Sequence, residues 1–330
     1  MKAVGLYKYL PIDHPESLLD VQVETPVAVG RDLLVEVKAV SVNPVDTKRR
    51  APKDLVEKAP KILGWDAAGI VAAAGSDCTL FKPGDAVYYA GSVIRPGTNC
   101  EFHLVDERIV GRKPANLDFA QAAALPLTTL TAWELMFERM GISKTAAQAG
   151  RRVLILGGAG GVGSVAIQLA KNLAKLHVVA SASRPETIAW CKQLGADETV
   201  DHTKPIEGEY DYVLCFSSTD AYWNSFAKLT KPQGKIGLIV RTMKPIDLQI
   251  LHDKSISVHL EGMFTRSTFQ TPDMEAQHLL LDEAAGLVEA GVIQGTMKEN
   301  LGTINAANLK TAHKRLEEGH VIGKLVLEGF

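Results

Sequence analysis

Hydrophobic positions recur along this chain with two different rhythms. From residue 1 to about 115, short apolar runs are broken by Gly, Pro and Asp: LLVEVKAVSV (33–42) alternates, AAGIVAAAG (67–75) is small and apolar, and DAVYYAG and EFHLVDE follow turn residues such as Lys82-Pro83-Gly84-Asp85. Period-two runs between turn formers predict strands, and hence a β-rich, partly closed domain. LDFAQAAAL and TLTAWELMFERM, separated by Pro126, predict two consecutive helices.

From residue 153 the rhythm changes. Apolar runs VLILG, HVVAS, YVLCF, KIGLIV and SISVHL alternate with the helical stretches VGSVAIQLAKNLA, PETIAWCKQLG and AYWNSFAKL. That spacing belongs to repeated βαβ units, so an α/β fold with a doubly wound parallel sheet follows. Beyond residue 266 the pattern predicts helices over 274–290 and 306–318 and a terminal strand, KLVLEG, with no core of their own. They are expected to fold back onto the first domain. Segments 47–61 and 264–274 carry no readable period.

The glycines Gly158-x-Gly160-x-x-Gly163 fall directly after the first strand of the βαβ series and at the start of its helix. There Gly158 permits a tight turn, Gly160 lets the backbone approach a pyrophosphate, and Gly163 lets helix and strand pack closely. Ala159, Gly161 and Val162 complete the turn, and the helix N-terminus offers N–H groups and partial positive charge to phosphates. An NAD site carries a carboxylate at the end of the next strand, whereas this chain reads Ala180-Ser181-Ala182-Ser183-Arg184. Ser181, Ser183 and Arg184 therefore point to a 2′-phosphate and NADPH, a charge-assisted hydrogen bond being worth roughly 1.5 to 3 kcal/mol. Ser183-Arg184-Pro185-Glu186 also spells a capping box for the next helix, a duty that Ser183 can share and Arg184 does not have.

Charge narrows the partners. Of 330 residues, 36 are Lys or Arg and 38 Asp or Glu, with neither sign gathered in a tail, so nucleic acid and anionic membranes are not expected as partners. The N-terminus lacks a signal-type apolar core and no uncharged run of 18 apolar residues occurs, so a cytosolic protein is expected. Cys78, Cys100, Cys191 and Cys215 lie too far apart for a zinc knot or a disulfide framework.

VSVNPVDTKRR (40–50), ILGWDAAGIVAAAG (62–75), FKPGDAV (81–87), AAALPLTTLTAWE (122–134), the GGAGGVG turn, LGADETVDH (194–202) and EEGHVIGKLVLEGF (317–330) together resemble the medium-chain dehydrogenase/reductase superfamily. Within it the chain is most similar to the zinc-free, quinone oxidoreductase-like branch, whose members are often labelled zinc-type alcohol dehydrogenase-like. The resemblance implies a GroES-like catalytic domain from residues 1–126 and 266–330, a Rossmann domain over 127–265, and frequent dimers. Zinc-dependent members place a Cys where Asn43 stands here, a His-Glu pair at Trp65-Asp66, and a third ligand, Cys, near Leu125. None of these positions holds Cys or His, and Asp66 alone cannot hold the metal. The four-cysteine structural lobe is also missing between Tyr89 and Cys100.

Without a Lewis acid, electrophilic substrates such as quinones and α,β-unsaturated carbonyls are favoured over simple alcohols. The resemblance makes Asn43 a donor to a substrate carbonyl or to the nicotinamide, or else a loop amide satisfying backbone. Asp46 is a proton relay or an ordinary turn residue. Lys48, where many quinone reductases carry a tyrosine, is a proton donor or simply solvated, and Trp65 is a site wall or a buried aromatic. On the cofactor side stand Thr128 and Thr129, alternatively N-caps, and His202 near the adenine, alternatively a surface histidine. Val240 and Arg241 lie at a strand's carboxyl end, although Arg241 could instead pair with a surface carboxylate. Competing functions are a zinc-independent carbonyl or alcohol oxidoreductase and a low-turnover NADPH-binding sensor or structural protein.

Overall fold

The N-terminal alternation folds into two antiparallel systems in the computed structural model, which describes residues 1–330. β1 (Lys2–Tyr9) is flanked by β2 (Leu19–Gln22) and β4 (Lys53–Ile62) in a three-stranded sheet. β3 (Asp32–Ser41) alternates between buried and half-buried positions and pairs with β5 (Ala67–Ala74), which continues through β6 (Ala86–Tyr89) to β8 (Val110–Arg112). β7 (Phe102–Asp106) also pairs with β3. Segment 47–61, expected as loop, is instead the end of helix α1 (Pro44–Arg50) followed by most of β4. The first six residues of β4 are almost all exposed, so its place is fixed by main-chain pairing with β1 and not by a buried face.

α2 (Phe119–Ala123) and α3 (Pro126–Trp133) follow, as the break at Pro126 predicts, and a π-helical turn over Glu134–Arg139 continues α3. A third sheet consists of β9 (Arg152–Leu156), β10 (His177–Ser181), β11 (Glu198–Val200), β12 (Tyr210–Cys215), β13 (Thr230–Leu238) and β14 (Ser257–Leu260). All its pairings are parallel and its order is β11-β10-β9-β12-β13-β14. Counted from β9, that is the 3-2-1-4-5-6 order of a dinucleotide-binding sheet, with its switch point beside β9. The connecting helices are α4 (Gly161–Gln168), α5 (Pro185–Gln193) and α6 (Thr219–Leu229), and on one side Leu154, Leu156, Val213, Phe226 and Ile236 form a dry core.

The remaining helices are α7 (Thr265–Phe269), α8 (Ala276–Glu289) and α9 (Ala306–Glu318). β15 (Met297–Asn300) and β16 (Lys324–Glu328) join the sheet of β3, β16 pairing antiparallel with β3 through Val326↔Ser41 and Leu327↔Val40. The chain's end thus completes the sheet that its beginning started. Two compact units result: Met1–Leu127 with Phe264–Gly291 and Gly295–Phe330, and Thr128–Met263 with Val292–Gln294. Segment 264–274, also unreadable in the sequence, contains α7, whose Arg266 is buried and bonded to Asp273 at 3.0 Å.

Candidate functional site

In the second unit the glycine turn joins β9 to α4, as the motif requires. The left-handed residue is Gly157 (φ 85), one position before the Gly158 expected to permit the turn. Gly158 serves packing instead: a Cβ there would stand 2.8 Å from the Ala180 Cβ on the neighbouring strand. At Gly163 an added Cβ would fall 2.3 Å from the Gly157 carbonyl oxygen, so helix and turn meet at a distance only glycine allows. Gly160 is the N-cap of α4, extended and without a side-chain cap, and an added Cβ there would meet only the Gly157 oxygen, at 3.5 Å. An uncapped helix start with open space at its N-cap suits a diphosphate. Ala159 is buried behind the turn, while Gly161 and Val162 are half-buried in the first turn of α4. A pyridine dinucleotide therefore fits the residues present.

The segment expected at the ribose, Ser181 to Arg184, differs in detail from expectation. Ser181 is buried and its Oγ accepts from Gly157 N at 2.9 Å, so this hydroxyl braces the turn. The N-cap of α5 is Arg184 and not Ser183: Arg184 N donates to Thr187 Oγ1 (3.1 Å), and the Thr187 hydroxyl donates back to Arg184 O (2.8 Å). Arg184 does have a capping duty after all, carried by its main chain because Pro185 fixes the first helical residue. Its guanidinium lies 3.1 Å from Glu186 and remains partly exposed; Ser183 is half-buried outside the cap and His202 is exposed. Thr128 and Thr129 are buried inside α3, which starts at Pro126, so neither is an N-cap. Val240 lies just beyond β13, its carbonyl oxygen accepting from Thr219 Oγ1 at 2.6 Å, and Arg241 is exposed.

In the first unit Asn43 and Asp46 belong to a closed polar cluster. Asn43 is the N-cap of α1 and only 1% exposed; Asp46 Oδ2 accepts its backbone N–H at 2.7 Å. Asn43 Nδ2 donates to Asp66 Oδ2 at 2.8 Å, and Asp66 Oδ1 accepts from Leu127 N at 2.8 Å. The member that the pattern analysis missed is Lys324, whose buried ammonium donates to Asp66 Oδ2 (3.1 Å), Val42 O (2.9 Å) and Asn43 Oδ1. A lysine opening a strand whose next three residues are apolar was the available signal. Both ends of the Asn43 amide are thus engaged within the protein. Trp65 is buried, donates from Nε1 to Ser92 O at 3.0 Å and meets the Phe264 ring edge-on; Lys48 is exposed on α1.

Burial dominates the acid–base character of the cluster. It pushes Asp46 up to about 7, against the opposing pull of the Asn43 N–H and the Lys324 ammonium, and the Asp46 Oδ1 has no hydrogen-bond partner. It also raises Asp66 and lowers Lys324, while their mutual attraction works against both shifts. The Asp66 carboxyl accepts three hydrogen bonds and the Asp46 carboxyl one, so burial bears on Asp46 with less to offset it.

The donor set does not suit zinc. Asn43 and Asp66 have their oxygens committed to Lys324, Asn43 and Leu127, and the Trp65 indole offers no lone pair. No group of three His, Cys, Asp or Glu side chains is arranged to hold a metal ion, and all four cysteines are free. No helix is long and apolar enough to cross a membrane.

Comparison with known proteins bears on this architecture. The alcohol dehydrogenase GroES-like domain matches residues 30–116 and the zinc-binding dehydrogenase domain residues 194–327. A zinc-type alcohol dehydrogenase-like protein of Staphylococcus aureus (strain COL) is 41% identical over 334 residues, spanning 99% of both chains. A crystal structure from Rhizobium etli CFN 42, provisionally described as a zinc-dependent alcohol dehydrogenase, is 50% identical and superposes with a TM-score of 0.95 over 100% of this chain and 98% of its own. The chloroplastic NADPH-dependent alkenal/one oxidoreductase of Arabidopsis thaliana is 35% identical over 239 residues, 69% of this chain and 60% of that relative. With its GroES-like and Rossmann units, this chain belongs to the medium-chain dehydrogenase/reductase superfamily of oxidoreductases.

Proposed function

We propose that the protein is an NADPH-dependent reductase of quinones or α,β-unsaturated carbonyls that works without zinc. The observation that carries this reading is the Asn43–Asp66–Lys324 cluster, which stands where zinc-dependent relatives keep ligands and has its oxygens already committed. A site of this kind has no Lewis acid to stabilise a developing alkoxide, and it favours substrates that are electrophilic already. The alkenal/one oxidoreductase among the relatives supports both the cofactor and the substrate class.

Bound NADPH would supply the hydride to a conjugated carbon. Gly158 to Gly163 hold the diphosphate on the N-terminus of α4, Ser183 and Arg184 take the 2′-phosphate, and His202 borders the adenine. Thr128, Thr129, Val240 and Arg241 bind the nicotinamide half. Trp65 walls the substrate, and the enolate or quinol anion left after reduction takes its proton from Asp46, whose Oδ1 has no hydrogen-bond partner within the protein. The outer strand β14, with Leu260 71% exposed, supports a homodimer joined at this sheet edge, and the free thiols support a cytosolic location.

The test is NADPH oxidation against a panel of quinones, enones and aldehydes, with metal analysis of the same sample. Quinone or enone turnover that survives chelation is expected. Turnover of aldehydes alone would move the protein to the carbonyl reductases, zinc near one per chain would overturn the metal-free mechanism, and tight NADPH binding without turnover would make it a sensor or structural protein.

A further inference from the structure

We propose that Lys324 is a positioning residue: its ammonium is a built-in cation that, together with the Asp66 carboxylate, holds the Asn43 amide in one orientation. The inference rests on the reductase reading above and adds to it a residue that lies 281 positions from Asn43 in the sequence.

Lys324 opens β16 and is 3% exposed. Its three protons meet three acceptors, Val42 O, Asn43 Oδ1 and Asp66 Oδ2. An ammonium only donates, so the end of Asn43 that it touches must be the oxygen. The amide nitrogen is then turned toward Asp66 Oδ2 at 2.8 Å, with Ser41 O and Trp65 O each 3.4 Å away. Stability alone gives a weak account of this lysine. Burying an ammonium is costly, and apolar residues of similar volume often replace buried ion pairs without loss. Lysine does what an apolar residue cannot: it takes the oxygen end of an amide whose nitrogen end the Asp66 carboxylate accepts from, and it ties β16 to the start of α1 and to the segment before β5, where Asp66 in turn holds Leu127 N at the start of α3. It also acts on Asp46, where burial is the larger influence and the Asn43 N–H the next. The charged groups acting on Asp46 are Lys324 and Asp66, so losing the ammonium leaves two carboxyls without a counter-ion.

Lys324→Met, which keeps the length without the charge, and Lys324→Arg, which keeps the charge, test the proposal in the full-length protein. In Lys324→Met the NADPH dissociation constant should stay within about twofold, while kcat for an enone falls about tenfold and the basic limb of its pH profile moves upward. Side-chain amide NMR signals of Asn43, slowly exchanging in the wild type, should be lost in Lys324→Met and kept in Lys324→Arg, which should also recover most of kcat. Unchanged Asn43 signals together with an unmoved pH profile in folded Lys324→Met overturn the proposal. Should the methionine variant not fold, the wild-type Lys324 ammonium decides: slow exchange with through-space contact to Asn43 supports it, and rapid solvent exchange overturns it. A wild type that reduces neither quinones nor enones defeats the reductase reading, and the NMR signals still judge Lys324.

Discussion

The two units arrange polar groups in opposite ways. The glycine turn of the second unit is made of main chain, with an uncapped helix start and no side chain standing over Gly160. The Asn43–Asp46–Asp66–Lys324 cluster of the first unit is made of side chains from distant segments, buried and bonded to one another. An open set of N–H donors has unmet capacity for a ligand's negative charge, whereas a closed cluster brings its own charges and needs no ion from outside. In this chain the glycine turn leaves its donors open to negative charge and the side-chain cluster already contains its own.

The sharpest way to break this contrast is to fill the turn. Gly163→Val would drive a side chain into the Gly157 and Gly158 carbonyls, 2.3 and 2.6 Å from an added Cβ, and NADPH affinity by calorimetry should fall about a hundredfold or more. Affinity within a few-fold of wild type would mean that the diphosphate does not use this turn. A smaller effect is expected at Arg184. Arg184→Ala should raise the KM for NADPH about tenfold and leave that for NADH nearly unchanged, because only the 2′-phosphate loses its partner. Equal effects on both cofactors would leave Arg184 as no more than the α5 cap and the partner of Glu186.

The mildest test uses pH, to which the units respond with opposite sign. In the second unit Glu261 is raised to about 8 by burial and by the Glu134 carboxyl beside it, although Arg139 Nε donates to it at 2.9 Å. The folded state therefore holds a proton that the unfolded chain releases near 4.5, and stability present below that value drains away as pH rises toward 8. In the first unit His313 is lowered to about 3 by burial and by Arg50, and neither ring nitrogen has a hydrogen-bond partner. Its stability is present above the ordinary histidine range, near 6.5, and is lost as pH falls toward 3. Glu261→Gln should flatten the alkaline fall in melting temperature and His313→Leu the acid fall, each by about a few degrees in thermal scans. Slopes unchanged in both variants would remove these groups as the source.

Strand and helix periods made the doubly wound sheet legible, because its central strands β9, β10 and β12 are buried along nearly their whole length by local apolar residues. The glycine turn was legible for a related reason: its chemistry lies within seven consecutive residues, Gly157 to Gly163, and needs little from elsewhere. Even there, only the folded backbone revealed that Gly157 takes the left-handed conformation and that Arg184, not Ser183, caps α5. Strand β4 escaped notice because its leading residues are exposed and its pairing with β1 leaves no side-chain period.

The sequence by itself determined most of the helices and strands, the class of fold and the place of the glycine turn, since all three follow from which neighbours along the chain are apolar or glycine. Tertiary structure alone decided the acid–base cluster. Lys324 meets Asn43 and Asp66 only because β16 pairs with β3, and the protonation of Asp46 depends on burial and on a cation supplied from the other end of the chain. Charge interactions act through space in a medium whose polarity the fold creates, and no local pattern of residues encodes that distance.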